Sequence, residues 1–332
     1  MPYPCHWVFR TPCPVWAGWA GRVLVLFSAC LAANLARAED AEGRRPPNVV
    51  LIFTDDQGTV DMNVYGAEDL TTPHMDGIAR RGVRFTQFYA AAAVCSPSRA
   101  GLLTGRYPQR AGVPGNVSSM EGHAGMPTEQ VTLADMFQAA GYATAHVGKW
   151  HLGYTPETMP NAQGFDFSFG HMGGCIDNWS HFSFFEGGIR VPAIIAWPGT
   201  LPEGEVRDQV AHGCDWLPTL AELCGVPLLE DDIDGVSLVD VVRSAEAPSP
   251  RRVLHWQAGR GLGASWAVRD GDWKLLGNPR DPSEKAPLTE ADRRFLVNLA
   301  EDATEMTNLA GKHPEVAERL EGLHAAWLES ID

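Results

Sequence analysis

The sequence predicts an α/β protein with a mainly parallel central sheet flanked by helices, and a smaller C-terminal α+β subdomain. A continuous apolar run at residues 48–54 is typical of a strand covered on both faces, and two further strand-like runs lie at 142–147 and 191–197. Helix signals lie between these runs, and strands that alternate with helices form parallel sheets. From about residue 245 onward the pattern changes to a hairpin and a terminal amphipathic helix.

The first strand and the first helix follow from local signals. Residues 48–54 combine β-branched and aromatic side chains and follow two prolines, which indicates a buried strand. A helix should begin after Thr72, because threonine is a favourable N-cap and Pro73 suits a first turn. Gly82 should end this helix, and residues 83–89 should then be extended.

The next elements surround the most unusual motif of the chain. A second helix is expected to begin at Pro97, with Ser96 as its cap. Residues 132–140 predict a further helix that ends at Gly141, and a strand should follow at 142–147.

The remaining elements lead into the C-terminal subdomain. A strand is predicted at 191–197, a helix at 215–224 that ends at Gly225, a hairpin with strands 265–268 and 273–276, and a final helix at 314–328. The final helix is amphipathic because four apolar residues share one face: Val316, Leu320, Leu323 and Trp327.

We expect three parts along the chain, which are a signal peptide at 1–38, a catalytic α/β domain at 39–244 and a C-terminal α+β subdomain at 245–332. Residues 23–31 form an apolar run, and a small-x-small cleavage pattern follows at 36–38. The run is shorter than the about 20 residues that a membrane-spanning helix needs. A periplasmic or secreted location is therefore expected. An uncleaved anchor, or a lipid attached at Cys30, is the alternative.

Composition and charge exclude several classes of partner. The chain has 332 residues, of which 45% are apolar, and this suggests about two domains with a sizeable core. Its net charge of −15 would repel nucleic acid and anionic membrane surfaces, so neither is an expected partner. An anionic substrate would require the basic residues to gather in one pocket.

The cysteines are too few for a disulfide scaffold. Four of them lie beyond residue 38: Cys95, Cys175, Cys214 and Cys224. Cys214 and Cys224 lie on or next to one predicted helix and should be buried side chains rather than a bridge. Cys95 precedes a predicted helix, and an anion is favoured at that end of the helix dipole.

Residues suited to catalysis fall at the carboxyl ends of predicted strands. Asp55 and Asp56 follow the first strand, and Lys149 and His151 follow the strand at 142–147. Because ligands bind outside the carboxyl ends of strands in such sheets, the two segments could meet in one site. Taken alone, an Asp pair is more often a solvated turn, and a single Lys or His a solvated charge or a core imidazole.

Six segments resemble the formylglycine-dependent sulfatases of the alkaline-phosphatase superfamily, a family that includes the arylsulfatases. They are residues 48–56, 95–99 (Cys-Ser-Pro-Ser-Arg), 103–108, 148–153, 186–192 and 268–275. The resemblance runs from Pro47 nearly to the C-terminus, and the order and spacing of the segments are highly specific. It implies an alkaline-phosphatase-like fold and a sulfuric ester hydrolase.

The resemblance also implies a nucleophile. Cys95 would be converted to Cα-formylglycine by a formylglycine-generating or sulfatase-maturing enzyme. The hydrated aldehyde would then attack sulfur and expel the alcohol, which divides one difficult hydrolysis into two easier steps. A plain thiol nucleophile and a buried structural cysteine are the alternatives.

The remaining site residues are assigned by the same resemblance. Asp55, Asp56 and the modified Cys95 match the family's metal ligands, with Ca²⁺ as the expected ion. Three basic residues match those that hold the nucleophile and the sulfate oxygens: Arg99, Lys149 and His151. His151 could instead act as general acid on the leaving alcohol. The substrate would be a sulfated small molecule or glycan.

The chain departs from the family pattern between residues 176 and 190. Family members have a long stretch there, with a Pro-His element, a metal-binding strand that ends in Asp-Asn-Gly or Asp-His-Gly, and a lysine that reaches sulfate. None of these occurs in this sequence, and residues 182–186 look like a deletion join. Because Ca²⁺ takes about 6 to 8 oxygen ligands, metal affinity should fall, and the central sheet should have an open edge or a gap.

Two other functions stay open at this point. The scaffold could serve a phosphate or phosphonate ester hydrolase, since tetrahedral anions look alike to a basic pocket. The shortened chain could also be a catalytically impaired remnant that only binds sulfated ligands.

Overall fold

The computed structural model describes residues 46–118, 124–174, 186–250, 253–259, 261–279 and 288–331. The chain divides into two units, Met1–Leu51 and Ile52–Asp332, and every helix and strand named below belongs to the second. The predicted signal peptide, Cys175 and most of the expected deletion join lie outside the described residues. Within the described part, no helix combines the length and the apolar character needed to cross a bilayer.

The described helices and strands include the elements predicted from residue 72 onward, together with several that the sequence did not predict. The helices are α1 (Pro73–Arg80), α2 (Cys95–Thr104), α3 (Leu133–Ala139), α4 (Glu186–Ile189), α5 (Trp216–Cys224), α6 (Val239–Arg243) and α7 (Pro314–Ile331). The strands are β1 (Val83–Phe85), β2 (Phe88–Tyr89), β3 (Ala145–Val147), β4 (Phe167–Phe169), β5 (Ala193–Ile195), β6 (Glu205–Arg207), β7 (Ala211–His212), β8 (Val253–Ala258), β9 (Ser265–Asp270), β10 (Trp273–Gly277) and β11 (Arg294–Asn298).

The N-terminal part of the fold contains three small sheets with helices around them. Strand β1 lies between β5 and β6, antiparallel to the first and parallel to the second. Strands β2 and β7 form a parallel pair, and so do β3 and β4. Parallel pairing therefore dominates, as expected, but the strands are distributed over three small sheets.

The prediction of a buried strand at 48–54 is wrong. No strand is assigned there, and Val50 and Ile52 are 82% and 70% exposed. A parallel strand of this composition is stable only when neighbouring strands satisfy its backbone and other elements cover both faces. No described strand pairs with this segment. The apolar run has the composition of a central strand but lacks the surroundings of one.

One face of the β3–β4 pair is also exposed to solvent although its side chains are apolar. Val147, Phe167 and Phe169 are 72%, 56% and 69% exposed and point to the same side. His146, on the opposite side, packs against the Trp150 ring at 5.3 Å. Only one side of this parallel pair is therefore covered. This open face is a different feature from the open sheet edge expected from the sequence.

The C-terminal subdomain is a four-stranded antiparallel sheet covered by one long helix. The strand order is β11-β10-β9-β8, and Gly271 adopts a left-handed φ of 62° in the β9–β10 turn. Helix α7 packs on β9 and β10, and Leu320 shares a fully buried core with Val268 and Leu275. The predicted hairpin and terminal helix are confirmed.

Side chains of the C-terminal sheet hold the segment that leads to residue 95. The Arg269 guanidinium donates to the Tyr89 hydroxyl and to Gln87 Oε1, the latter at 2.6 Å. The Trp256 indole donates to the Ala90 carbonyl oxygen at 3.0 Å. Strand β2 is thus fixed from the C-terminal side only a few residues before helix α2.

Candidate active site

Residue 95 lies at the first position of helix α2. The helix covers Cys95–Thr104, Val94 precedes it in an extended conformation, and Gly105 ends it with a φ of 66°. The expected start at Pro97 with Ser96 as cap is wrong. The Ser96 hydroxyl is turned away from the helix, where it donates to the His151 carbonyl oxygen at 2.6 Å and accepts from the Val117 amide at 3.0 Å.

Lys149 connects the two segments that the sequence places far apart. Its Nζ lies 3.1 Å from Cys95 Sγ and 2.8 Å from Asp55 Oδ2. Arg99 completes the group, because its NH2 lies 3.3 Å from Asp55 Oδ1. Four of the six residues singled out from the sequence are therefore in direct contact.

The two basic side chains are held in place from several directions. Arg99 NH1 donates to the Lys149 carbonyl oxygen at 2.6 Å, and the guanidinium lies 5.5 Å from the centre of the Phe53 ring. The side chains of Arg99 and Lys149 are only 11% and 10% exposed. An acidic protein thus has two nearly buried cations beside residue 95, as binding of an anionic group requires.

The charges of this group shift its pKa values toward the ionised forms. Partial burial raises the pKa of Asp55, but the hydrogen bond and charge of Lys149 and the charge of Arg99 outweigh it, so the pKa is lowered. Burial lowers the pKa of Lys149, and its contacts with Asp55 and Cys95 outweigh that effect and raise it. Around neutral pH both groups are therefore charged.

His151 is close to this group and has a different local structure. It is 4% exposed and has a left-handed φ of 57°. Its Nε2 lies 3.1 Å from the Val117 carbonyl oxygen, so the ring bonds to Val117 rather than to Cys95. Burial and the Lys149 charge lower the pKa of His151 despite the bond to Val117. A side chain at Gly174 would collide with this ring, because a Cβ there would lie 1.9 Å from Cε1.

Asp55, Asp56 and Cys95 are the one group among the described residues that could hold a metal ion. One ligand atom from each lies within 4.8 Å of the others. The two carboxylates suit a hard cation, and a hydroxyl at residue 95 would suit it better than sulfur. The set fits a divalent cation as a partial shell, since Ca²⁺ takes about 6 to 8 oxygens. Each Asp55 oxygen already has a basic partner: Oδ1 contacts Arg99, and Oδ2 contacts Lys149.

Sequence reasoning missed the residues that connect the two segments. Asn116 Oδ1 accepts from the Ser96 amide at 3.0 Å, and Val117 contacts both Ser96 and His151. Residues 114–117 carry no motif, so no sequence signal marks them. The one residue of this network that the sequence marks is Ser96, and its position before Pro97 predicted a helix cap instead.

Two family descriptions match adjacent parts of the chain. "Sulfatase" matches residues 47–183, and "N-sulphoglucosamine sulphohydrolase, C-terminal" matches residues 178–329. Together they extend over the region in which the sequence segments resemble sulfatases.

Several characterised relatives match the N-terminal region. Arylsulfatase A of Homo sapiens is 49% identical over 137 residues, which is 41% of this chain and 26% of the relative. Arylsulfatase G of Rattus norvegicus is 43% identical over 159 residues, 46% of this chain and 30% of the relative. N-acetylgalactosamine-6-O-sulfatase of Bacteroides thetaiotaomicron is 45% identical over 145 residues, with 40% and 27% covered. The chain thus spans less than a third of each of these relatives.

Solved structures extend the likeness to most of the fold. PsFucS1 sulfatase from Pseudoalteromonas sp. has a TM-score of 0.71 at 18% identity, covering 96% of this chain and 95% of its own. Ps i-CgsB in complex with k-i-k-neocarrahexaose has a TM-score of 0.73 at 20% identity, with 85% and 93% covered. At such identities the likeness confirms the predicted fold class.

Proposed function

The chain belongs to the sulfatase family, and we propose that it hydrolyses sulfuric esters at residue 95. One observation carries the proposal: Lys149 Nζ lies within hydrogen-bond distance of both Cys95 Sγ and Asp55 Oδ2. A nucleophile position, a carboxylate and fixed positive charge therefore share one small space. Such an arrangement suits the transfer of an anionic group.

The roles of the basic residues follow from their positions. The Lys149 ammonium donates toward the side chain of residue 95 and so stabilises negative charge on an oxygen there. Arg99 adds a second, nearly buried cation close to the same point. Because both side chains are fixed by other contacts, they require little reorganisation when charge develops on a sulfate group. His151 would exchange a proton with the nucleophile or the leaving alcohol.

A modified residue 95 and a divalent cation complete the proposal. When present, formylglycine supplies a hydroxyl nucleophile and the cation, Ca²⁺ in our proposal, supplies positive charge beside the sulfate. Asp55, Asp56 and residue 95 would hold the cation. A formylglycine-generating or sulfatase-maturing enzyme is the partner that the modification requires.

We further propose a sulfated glycan or sulfated small molecule as substrate. In support, one relative is named N-acetylgalactosamine-6-O-sulfatase. A structural neighbour has been solved with its substrate D-glucosamine-2-N,6-O-disulfate, at 17% identity and a TM-score of 0.67. The proposed location is periplasmic or extracellular, where such substrates occur.

The experiment is release of the alcohol from 4-nitrophenyl sulfate by chain coexpressed with a formylglycine-generating enzyme. Mass spectrometry of the peptide that contains residue 95 gives the fraction modified. We expect turnover in proportion to that fraction, and none by Cys95→Ala. Folded, modified chain without turnover, or faster hydrolysis of 4-nitrophenyl phosphate than of the sulfate, would contradict the proposal.

A sulfate-binding protein without turnover is the second candidate. The observation that favours it is the partial metal shell, because the described residues offer three ligands where Ca²⁺ takes about 6 to 8. Calorimetric titration with Ca²⁺ separates the candidates. A hydrolase should bind Ca²⁺ and lose this binding in the paired change Asp55→Asn and Asp56→Asn. A binding protein should take up a sulfated sugar with residue 95 unmodified.

A further inference from the structure

Ser96 lies at the centre of a buried network that joins helix α2 to His151. The residue is fully buried. Its hydroxyl donates to the His151 carbonyl oxygen at 2.6 Å and accepts from the Val117 amide at 3.0 Å. The Val117 carbonyl oxygen in turn lies 3.1 Å from His151 Nε2. Ser96 therefore fixes the backbone of His151 directly and its ring through Val117.

The contact with Val117 determines which ring nitrogen of His151 carries the proton. A carbonyl oxygen can only accept a hydrogen bond, so Nε2 must be the protonated nitrogen of the neutral ring. His151 Nδ1 is then a lone-pair acceptor. It is buried and has no hydrogen-bond partner within the described part of the chain. A buried acceptor without a partner within the described residues needs an explanation, and a role in proton transfer is one that suits its position beside Lys149.

Backbone geometry shows that this arrangement is imposed on His151 by its surroundings. The residue has a φ of 57°, a backbone conformation that is unfavourable for residues other than glycine. Its amide donates to the Met172 carbonyl oxygen at 3.0 Å. The Ser96 hydroxyl holds the next peptide unit, at the His151 carbonyl oxygen.

We propose that Ser96 is a positioning residue, which sets the tautomer and the placement of the His151 imidazole so that Nδ1 is the atom available for proton transfer. This inference rests on the proposed function in so far as His151 takes part in hydrolysis. The adjacent Ser96 and residue 95 thus have separate tasks. Residue 95 supplies the reacting atom, and Ser96 directs the base.

The tautomer can be tested without any measurement of activity. Nitrogen-15 NMR of histidine-labelled chain separates protonated from unprotonated ring nitrogens, and His151→Gln identifies the His151 signals among the eleven histidines. We expect wild-type chain to show protonated Nε2 and bare Nδ1. Ser96→Ala should give a mixture of tautomers, and Ser96→Thr, which keeps the hydroxyl, should restore the wild-type pattern.

The catalytic effect is measured per modified molecule. We expect Ser96→Ala to lower kcat by about 10- to 100-fold with KM within about 3-fold, because partners that orient a catalytic group have effects of this size. Ser96→Thr should recover most of the rate. Asn116→Ala is a milder second variant, since Asn116 is exposed and binds the Ser96 amide at 3.0 Å. Asn116→Ala should lower kcat and shift the His151 tautomer in the same direction as Ser96→Ala, by a smaller amount.

Ser265→Ala is the matched control. Ser265 is also a buried serine, and its hydroxyl donates to the Asn278 carbonyl oxygen at 2.7 Å in the C-terminal subdomain. It should leave both kcat and the His151 tautomer unchanged.

The inference is overturned if folded Ser96→Ala keeps the wild-type tautomer, or if Ser265→Ala lowers kcat equally. If the wild-type chain is inactive but Ser96→Ala still shows the expected mixture of tautomers, the proposed function is refuted and the positioning role of Ser96 is supported.

Discussion

Lys149 contacts three other residues of the candidate site. Its ammonium nitrogen touches Cys95 and Asp55, and its carbonyl oxygen accepts from Arg99. Removing the ammonium would leave Asp55 with Arg99 as its remaining cationic contact. The Arg99 contact is the longer of the two, at 3.3 Å against 2.8 Å.

Lys149→Met should therefore lower kcat and raise the pKa of Asp55. We expect kcat to fall by about 10²- to 10³-fold, the usual effect of removing one donor that stabilises developing charge. The pKa of Asp55 should rise, because Lys149 lowers it in the wild-type chain. Rate measurements on 4-nitrophenyl sulfate check the first expectation, and carboxyl carbon-13 NMR checks the second. Lys312→Met, at an exposed lysine, is the control and should have no effect.

At the residue level, the sequence indicated which motif segments lie close together and missed the residues that connect them. Cys95, Asp55 and Lys149 lie together as expected, although Asp55 follows a segment that forms no described strand. Ser96 was assigned a cap because serine often caps helices. Its true partners, Val117 and the backbone of His151, are 21 and 55 residues away, and local sequence contains no information on contacts at that separation.

At the level of elements, prediction succeeded where stability is local. Helix α3 begins with the expected Thr132, which forms a capping box with Asp135. The β9–β10 hairpin and helix α7 were likewise found from turn residues and periodicity. The run at 48–54 failed because burial depends on neighbours, and composition alone cannot indicate whether those neighbours exist.

Helix α7 should detach more easily in acid because of His324. This buried ring stacks on Trp266 at 4.4 Å, approaches His255 and Trp327, and its Nε2 contacts Gln257 at 3.1 Å. Burial lowers the pKa of His324 to about 4. The unfolded chain, with an ordinary pKa near 6.5, therefore binds this proton at higher pH than the folded chain.

The contribution of neutral His324 is complete above about pH 6.5 and is lost as the pH falls toward 4, by about 3 kcal/mol in total. Urea unfolding at several pH values measures this loss. His324→Phe keeps an aromatic ring and removes the titration, so its stability should fall less over the same range. Parallel curves for the two chains would contradict the prediction.

The C-terminal sheet also contains a buried ion pair. Lys274 Nζ lies 2.9 Å from Glu305 Oε1, and the two side chains are 0% and 2% exposed. Glu305→Gln should lower the free energy of unfolding by about 3 to 5 kcal/mol, because it removes the negative charge that lies beside a buried lysine. Glu290→Gln is the matched control, since its pair with Arg293 is exposed. Urea denaturation should show a much smaller change there.

For the whole molecule, the open face of the β3–β4 pair predicts self-association. Phe167 and Phe169 are exposed beside Val147, and exposed apolar strands tend to pair or aggregate. The double change Phe167→Thr and Phe169→Thr keeps β propensity while removing apolar surface. We expect weaker binding of an anilinonaphthalene dye and less association in analytical ultracentrifugation. Met306→Thr, at an exposed residue outside the β3–β4 pair, should change neither.

The anchoring of β2 by Arg269 and Trp256 has a consequence for the ancestry of the chain. The strand before residue 95 is held by side chains that lie more than 160 residues later in the chain, so we expect that the two halves cannot be exchanged freely between related chains. A recombinant that joined one lineage's front half to another's back half would misalign residue 95 unless Tyr89 and Arg269 were inherited together. We therefore expect Tyr89 and Arg269 to be inherited together.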